Sequence, residues 1–225
     1  RRHYSYRFVL LPETIGSISY LSKRLNTLKE NIICGYNLSC VGDERSYSHL
    51  RSRQGNNLAD IALDSALFKL DNVVEYSFLE RGSDERQYCA PGIDLPVCTF
   101  SRTKFGRYPE YHTSKDDFTV VTANGLKGSF QVMKNIIDAF EFGIYPNVQF
   151  LGEPQLSKRN LYPSTSCTYK GRHPAKTRMD LIAYCDSKTN IFEISQKINV
   201  NLKELFEELK VLREKNLIAI SHGSS

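Results

Sequence analysis

The stretch "YRFVLLPETIGSISYLSKRLNTLKEN", residues 6–31, sets the expected fold. Its first part, "YRFVLLP", is a continuous apolar run that ends in proline, which is typical of a strand buried on both faces. The part after the proline has helical spacing, because Ile15, Ile18 and Leu21 or Leu25 share one face. The stretch therefore predicts a buried strand followed by a helix, which is the repeating unit of a parallel α/β sheet.

The same alternation continues along the chain to residue 142. We predict strands in "IICGYNLSCVG" (32–42), "VVEYSFLE" (73–80) and "DLPVCTFSR" (94–102), and helices in "NLADIALDSALFKL" (57–70) and "NGLKGSFQVMKNIIDAFEF" (124–142). Strands that alternate with helices indicate an α/β domain with a mostly parallel sheet flanked by helices. Ligands of such sheets bind beyond the carboxyl ends of the strands.

The composition changes after about residue 144. Residues 145–174 are rich in Pro, Gly, Ser and Asn and predict a connector. Three helices are then predicted in "KTRMDLIAYCD", "NIFEISQKINV" and "NLKELFEELKVLREKN", followed by a strand in "LIAIS". This order outlines a small winged helix-turn-helix domain. We therefore predict an α/β domain over 1–144, a connector over 145–174 and a winged-helix domain over 175–225.

Charge and cysteine usage limit the function classes. The net charge of +5 is too small to indicate a nucleic-acid partner. The last predicted helix balances its basic residues with acidic ones: Lys203, Lys210, Arg213 and Lys215 against Glu204, Glu207, Glu208 and Glu214. We expect this helix to serve packing, dimer (homo-oligomer) formation or partner docking, with DNA binding as the alternative.

The six cysteines are scattered, with no C-x-x-C pair, which predicts buried thiols in a cytoplasmic protein rather than a zinc ribbon or redox motif. No apolar run is long enough to cross a membrane. The basic start is not a signal peptide by pattern, because Glu13 interrupts its short apolar run and no small-residue cleavage site follows.

Acidic side chains follow two of the predicted strands. Glu13 lies between the first strand and its helix, where the positive end of the helix dipole would hold its carboxylate ionised. Such a carboxylate suits a general base that acts on a metal-bound water. Asp84 lies in a Gly-Ser-Asp turn before an apolar strand. Helix-end charge and turn chemistry are the alternatives for these two residues.

A histidine follows the predicted strand 94–102, in "YHTSKDDF", residues 111–118. His112 has Asp116 and Asp117 behind it, and a carboxylate can orient the second nitrogen of a metal-bound imidazole. A lone histidine is more often structural. Together with Glu13 and Asp84, however, it indicates a metal site at the strand ends.

Several longer stretches carry a family resemblance. With "YRFVLLPETIGSISYL", "GYNLSCVGDERSYSHLRSRQGN", "GSDERQYCAPGIDLPVCTFSRTKFGRYPEYHTSKDDF" and "GEPQLSKRNLYP", the chain resembles the bacterial aminopeptidase-like domain proteins. These are relatives of the zinc aminopeptidases and glutaminyl cyclases, and the likeness covers nearly the whole chain. It implies a zinc-peptidase-like fold followed by a winged helix. By this resemblance Glu13 matches the general base, His112 the last zinc ligand, and Asp84 an acidic residue that bonds near the metal.

The chain also departs from that family. Thr14 stands where the peptidases carry a second glutamate, and Ser39 or Cys40 stands where they carry an aspartate ligand. The family's other ligands, a histidine and an aspartate, belong to motifs upstream of "YRFVLLPET" that these 225 residues lack. The resemblance therefore implies the carboxyl-terminal part of a longer protein. It favours a single zinc held by a histidine, an aspartate and His112 over two metals.

The expected function is that of a zinc-dependent aminopeptidase-like hydrolase acting on a small peptide or amide with a free amino group. Zinc would polarise the carbonyl and activate a water, and Glu13 would take the proton. Arg102 and Arg107 are candidates for a substrate carboxylate, with a solvated surface position as the alternative, and Asp116 is a candidate partner of His112. Because ligands of the family are replaced here, a catalytically inactive binding protein with the same fold is the other interpretation.

Overall fold

The computed structural model describes residues 2–162 and 174–223, which form two compact units. One unit consists of Ser5–Lys134, and we call it the sheet unit. The other consists of the chain from Asn135 onward together with the first four residues, and we call it the winged-helix unit. Within the described ranges, none of the helices combines the length and apolar character needed to cross a bilayer. The predicted boundaries 1–144, 145–174 and 175–225 stay a prediction.

The sheet unit contains a four-stranded sheet with helices around it. Its elements in chain order are α1 (Ile15–Asn31), β1 (Gly35–Leu38), β2 (Tyr47–Leu50), α2 (Leu58–Leu67), β3 (Val73–Tyr76), α3 (Glu85–Tyr88), β4 (Val97–Ser101) and the beginning of α4 (Ala123–Phe142). The strand order is β1-β4-β2-β3. The β1–β4 and β2–β3 pairs are parallel and the β2–β4 pair is antiparallel. The predicted class, a mostly parallel sheet flanked by helices, is confirmed.

The register of the strands sorts their side chains into two faces. Tyr36 lies opposite Cys98, and His49 lies opposite Phe100, so these four side chains share one face because alternate residues of a strand point the same way. Helix α2 packs against β2 and β4. On the other face, α1 and α3 enclose an apolar cluster that includes Leu21, Leu28, Cys89, Leu95 and Val97.

The predicted first strand is wrong. Residues 6–12 pair with no strand in the described part of the chain, and the side chains of Phe8 and Leu10 are 83% and 96% exposed. An apolar run becomes a buried strand only when a neighbouring strand takes up its backbone hydrogen bonds. The strand that the sequence missed is β2, whose "YSHL" is too polar for the apolar-run rule. It is held between β3 and β4 instead.

Helix α4 begins in close contact with the loop after β1. A Cβ atom at Gly125 would lie 1.9 Å from the carbonyl oxygen of Gly42, so only glycine permits this approach of two backbones. The hydroxyl of Ser129 donates to the carbonyl of Val41 at 2.7 Å in the next turn. This contact fixes the segment that leads from β1 toward the candidate site.

The winged-helix unit confirms the predicted helices and final strand. After α4 it contains β5 (Tyr145–Val148), α5 (Pro174–Ile182), α6 (Ile191–Lys197), α7 (Leu202–Glu214) and β6 (Ile218–Ser221). Asn190 and Asn201 cap α6 and α7 by accepting from the backbone N–H groups of Glu193 and Glu204. Strand β5, which the sequence placed in a connector, pairs antiparallel with β6.

Candidate functional site

The loop that carries Glu13 is anchored by its neighbours. The backbone N–H of Thr14 donates to Oδ1 of Asp84 at 2.7 Å, and Nη2 of Arg86 donates to the Thr14 hydroxyl at 2.6 Å. Asp84 therefore fixes the backbone next to Glu13, whose own side chain is exposed. The first four N–H groups of α1 follow directly, so the carboxylate lies at the positive end of a helix.

The loop after β4 contributes aromatic side chains. The ring of Tyr111 stacks on the ring of His112, with centroids 4.0 Å apart and planes at 18°. The buried Tyr108 packs edge-on against Tyr111, and its hydroxyl bonds to Oδ2 of Asp116 at 3.0 Å and to Sγ of Cys40 at 3.5 Å. Burial raises the pKa of Tyr108, and its bonds to Cys40 and Asp116 raise it further.

Electrostatics link the two loops. Burial raises the pKa of Tyr111, and Coulombic interactions with Cys40 and Glu13 raise it further. The charge of Glu13 therefore affects the pKa of Tyr111, and the ring of Tyr111 stacks on that of His112. We call this group the rim cluster, and its members are Glu13, Cys40, Asp84, Tyr108, Tyr111, His112 and Asp116. Four of the predicted site residues lie in it, and their chemical roles stay predictions.

Three residues of these loops have strained backbones. Thr14, Cys40 and His112 have φ values of 63°, 50° and 58°, in the left-handed region that favours glycine. The strain is most unusual for Thr14, because its side chain branches at Cβ. Such residues cost roughly 1–3 kcal/mol each and often belong to functional sites.

The side chains of Glu13 and His112 make no hydrogen bond within the described ranges, although the backbones around them are well anchored. Both are exposed. This combination of a fixed backbone and an unsaturated side chain suits residues that bind a ligand.

Both predicted arginines are already engaged. Arg102 is 5% exposed, its Nε donates to the carbonyl of Ser46 at 2.6 Å, and its guanidinium lies 3.8 Å from the centre of the Tyr47 ring. Arg107 pairs with Glu80. The sequence missed Lys104, which is only 6% exposed, because a loop lysine is ordinarily solvated.

One group in residues 2–162 and 174–223 could hold a metal ion by distance, and it is not the rim cluster. The group is His49, Asp60 and Cys98, whose ligand atoms all lie within 4.8 Å of one another and which are all buried. His49 and Cys98 project from the sheet face described above, and Asp60 lies in the first turn of α2. No sequence signal predicted it, because its members are 11 to 49 residues apart.

Hydrogen bonds already saturate this group, which we call the His49 network. Nε2 of His49 lies 3.1 Å from Oδ1 of Asp60, and Nδ1 lies 2.8 Å from Oδ1 of Asp64. Asp60 also accepts from the backbone N–H and hydroxyl of Ser52 and from the backbone N–H of Asn57. A metal ion would have to displace several of these bonds, and a catalytic zinc needs an open position. The network therefore fits a structural role better than a catalytic centre.

Two opposing effects set the charge of His49. Burial lowers the pKa of His49, but its hydrogen bonds to Asp60 and Asp64 outweigh burial, so the pKa is raised overall. Burial likewise raises the pKa of Asp60, and the bonds from His49 and Ser52 reverse this and lower it. Each ring nitrogen of His49 thus faces a carboxylate oxygen, one from Asp60 and one from Asp64.

Two family matches divide the chain. Residues 1–142 match the family described as "Domain of unknown function (DUF4910)", and residues 143–220 match a winged helix-turn-helix family.

Two relatives come from Clostridium acetobutylicum. One, named "Putative polysaccharide biosynthesis protein with aminopeptidase-like domain", is 39% identical over 163 residues, which are 71% of this chain and 37% of that protein. The other is a crystal structure of a "putative peptidase", with a TM-score of 0.82 and 29% identity over 97% of this chain and 49% of that one. The chain thus spans half or less of the length of these relatives.

Proposed function

The chain belongs to the aminopeptidase-like family described as DUF4910, and on that premise we propose that it forms part of a zinc-dependent hydrolase acting on a small peptide or amide. The names of the two relatives support the peptidase-like assignment. The observation that carries the proposal is the stack of the Tyr111 ring on His112, together with the Coulombic effect of Glu13 on the pKa of Tyr111, which supports a common location for the carboxylate and the imidazole.

Each proposed role follows from the anchoring of the rim cluster. Glu13 would accept a proton, because its carboxylate is exposed while Thr14 and Asp84 hold its backbone in place. His112 would be a metal ligand, oriented by its stack on Tyr111. A bound zinc would supply Lewis-acid chemistry and an activated water.

The described residues do not complete a catalytic zinc site. Such a site normally has three protein ligands, and no group of three ligand atoms within 4.8 Å in the described ranges includes His112. The function is one to test on the full-length protein.

The test is hydrolysis of a panel of aminoacyl amides with and without a chelator. We expect the chelator to abolish turnover, and Glu13→Gln to lower it by about 10²–10⁴-fold while zinc content stays the same. Glu30→Gln, an exposed carboxylate on α1, is the matched control and should behave as the wild type. A protein that holds zinc and turns over no substrate of a broad panel would contradict the proposal.

A catalytically inactive binding protein is the second candidate. It is favoured by Thr14 and by Ser39 or Cys40, which by resemblance replace a glutamate ligand and an aspartate ligand, and by the incomplete ligand set around His112. Elemental analysis of the full-length protein separates the two candidates. Peptide binding without zinc would support the binding protein, and stoichiometric zinc would support the hydrolase.

For the winged-helix unit we propose partner docking or dimer formation rather than nucleic-acid binding. Acidic side chains of α7 are paired with basic side chains, since Arg178 donates to Glu208 at 2.6 Å and Lys210 donates to Glu207 at 3.2 Å. Salt-dependent retention on duplex DNA would contradict this proposal. We also propose a cytoplasmic location, which the free thiols of the five described cysteines support and which cell fractionation tests.

A further inference from the structure

A cation lies beside the rim cluster on a rigid loop. Lys104 follows β4 by three residues and is 6% exposed. The preceding residue is locked to the buried Asp43, which accepts from the backbone N–H of Thr103 at 2.8 Å and from its hydroxyl at 2.7 Å. The carbonyl of Lys104 accepts from the backbone N–H of Arg107 at 3.0 Å. The backbone that presents the lysine is therefore fixed on both sides.

Aromatic rings surround the ammonium group. Nζ of Lys104 lies 4.1 Å from the centre of the Phe105 ring and 5.3 Å from that of Tyr76, both within cation–π range. Within residues 2–162 and 174–223, Nζ has no hydrogen-bond acceptor. A buried ammonium normally has a paired acceptor, so an opening is left for one.

The carboxylates near Lys104 are already used. Glu80 pairs with Arg107. Glu85 is buried and accepts from the backbone N–H groups of Gly82 and Ser83 and from the Thr99 hydroxyl. Both carboxylates act on Lys104 through their charge and neither forms a hydrogen bond with it.

The ammonium remains accessible. Burial lowers the pKa of Lys104, as expected for a charge with incomplete solvation. Five enclosed side-chain oxygen atoms in the described ranges lack a hydrogen-bond partner, and Nζ of Lys104 is not among such enclosed atoms, so it still touches solvent.

The location of Lys104 connects it to the proposed site. Its ammonium is within electrostatic range of Cys40, which also acts on Tyr111. The Phe105 ring packs between them, 4.1 Å from Nζ and 6.4 Å from the centre of the Tyr111 ring. Lys104 thus lies one ring away from the stack that carries His112.

We propose that Lys104 binds a carboxylate of the substrate, so that the rim cluster selects small peptides or amides with a free carboxylate over their neutral counterparts. The geometry supplies an ammonium without an acceptor, on a fixed loop, next to the residues that face the substrate. The two arginines that the sequence analysis named as candidates for this role, Arg102 and Arg107, are occupied by protein acceptors. The inference rests on the proposed function only for the place where substrate binds.

The test measures binding of three matched probes to the full-length protein by calorimetry. They are a dipeptide with a free terminal carboxylate, its neutral amide, and a dipeptide amide with an aspartate side chain. We expect the preferred acid to bind at least about tenfold more tightly than the neutral amide, because a hydrogen bond to a charged group is lost in the amide. The tighter of the two acids identifies the source of the carboxylate.

The variants isolate the lysine. Lys104→Met should abolish the preference, Lys104→Arg should retain part of it, and Lys23→Met, at an exposed position of α1, should leave it unchanged. Equal affinity of the wild type for acid and amide overturns the inference, as does a preference that survives in Lys104→Met. Where the methionine variant does not fold, the Lys104→Arg variant and the titration below decide.

A spectroscopic measurement is independent of turnover. In lysine-selective ¹³C-labelled protein, the Lys104 resonance should titrate below the ordinary pKa of a lysine, and the acid probe should raise its midpoint while the amide should not. A preference for the acid without hydrolysis would leave this inference standing and remove the hydrolase proposal. If the protein hydrolyses both probes and binds the acid and the amide with equal affinity, this inference is removed and the hydrolase proposal stands.

Discussion

The His49 network and the rim cluster use the same residue types in opposite ways. Each combines a histidine with aspartates. The network is buried, and both ring nitrogens of His49 bond to carboxylates. In the rim cluster, His112 is exposed and contacts its neighbour by stacking alone within the described ranges. A saturated polar group stabilises a fold, whereas an anchored but unsaturated one is available to a ligand.

The largest expected effect is the loss of a carboxylate from the network. Asp60→Ala should lower the free energy of unfolding by about 3–5 kcal/mol, because it breaks the buried His49–Asp60 pair and removes the capping box of α2. Urea unfolding followed by circular dichroism measures it. Asp71→Ala, at an exposed turn, is the control and should change stability by less than about 0.5 kcal/mol. A similar loss in both variants would show that the network contributes little.

The second largest expected effect is a pH dependence of stability that comes from the His49 network. Because the pKa of His49 is raised in the folded state, its contribution is complete below the unfolded value of about 6.5 and is lost as the pH rises through the folded value. Each unit of difference corresponds to about 1.4 kcal/mol. Unfolding measured at a series of pH values should therefore show a decline in stability as the pH rises above about 6.5, and His49→Gln should reduce that decline. An unchanged decline in that variant would assign it to other groups.

A smaller effect is expected where the rim cluster is anchored. Asp84→Ala removes the acceptor of the Thr14 N–H and should cost about 1–3 kcal/mol of stability. It should also lower any hydrolysis by the full-length protein. Asp84→Asn keeps an acceptor oxygen and is the matched control, with a smaller loss on both measurements. Equal losses for alanine and asparagine would indicate that charge, and not the hydrogen bond, matters here.

The smallest effect on stability is expected at the two rim side chains themselves. Glu13→Gln and His112→Asn should each change the free energy of unfolding by less than about 0.5 kcal/mol, because both side chains are exposed and make no hydrogen bond in the described ranges. His49→Asn should be strongly destabilising. Zinc content of the full-length protein should fall for His112→Asn only. A large loss of stability at His112 would mean that the imidazole is structural.

The sequence was sufficient for elements that carry their own signals. Apolar periodicity and an Asn57–Asp60 capping box indicate helix α2, and capping asparagines indicate α6 and α7. Strand β2 could not be predicted from its polar "YSHL", because its existence depends on β3 and β4. The apolar run before Glu13 failed in the opposite direction, because composition alone does not supply a pairing partner.

The candidate site divides in the same way. Glu13, Asp84 and His112 could be selected because their residue types and local turns suggest chemistry. The acceptors of Arg102 and the missing acceptor of Lys104 could not, because both depend on contacts between residues far apart in the chain. The family resemblance suggested chemical roles for the site residues, whereas their contact partners could be identified only from the fold.

The three residues with left-handed backbones have a consequence for protein engineering. Glycine at position 40 or 112 would relieve a conformation that other residues adopt reluctantly, although its greater freedom in the unfolded chain offsets part of the gain. A campaign that selects variants for heat resistance alone would therefore tend to remove side chains of the proposed site. Selection for stability and selection for activity should therefore favour different residues at these positions, more than at other positions.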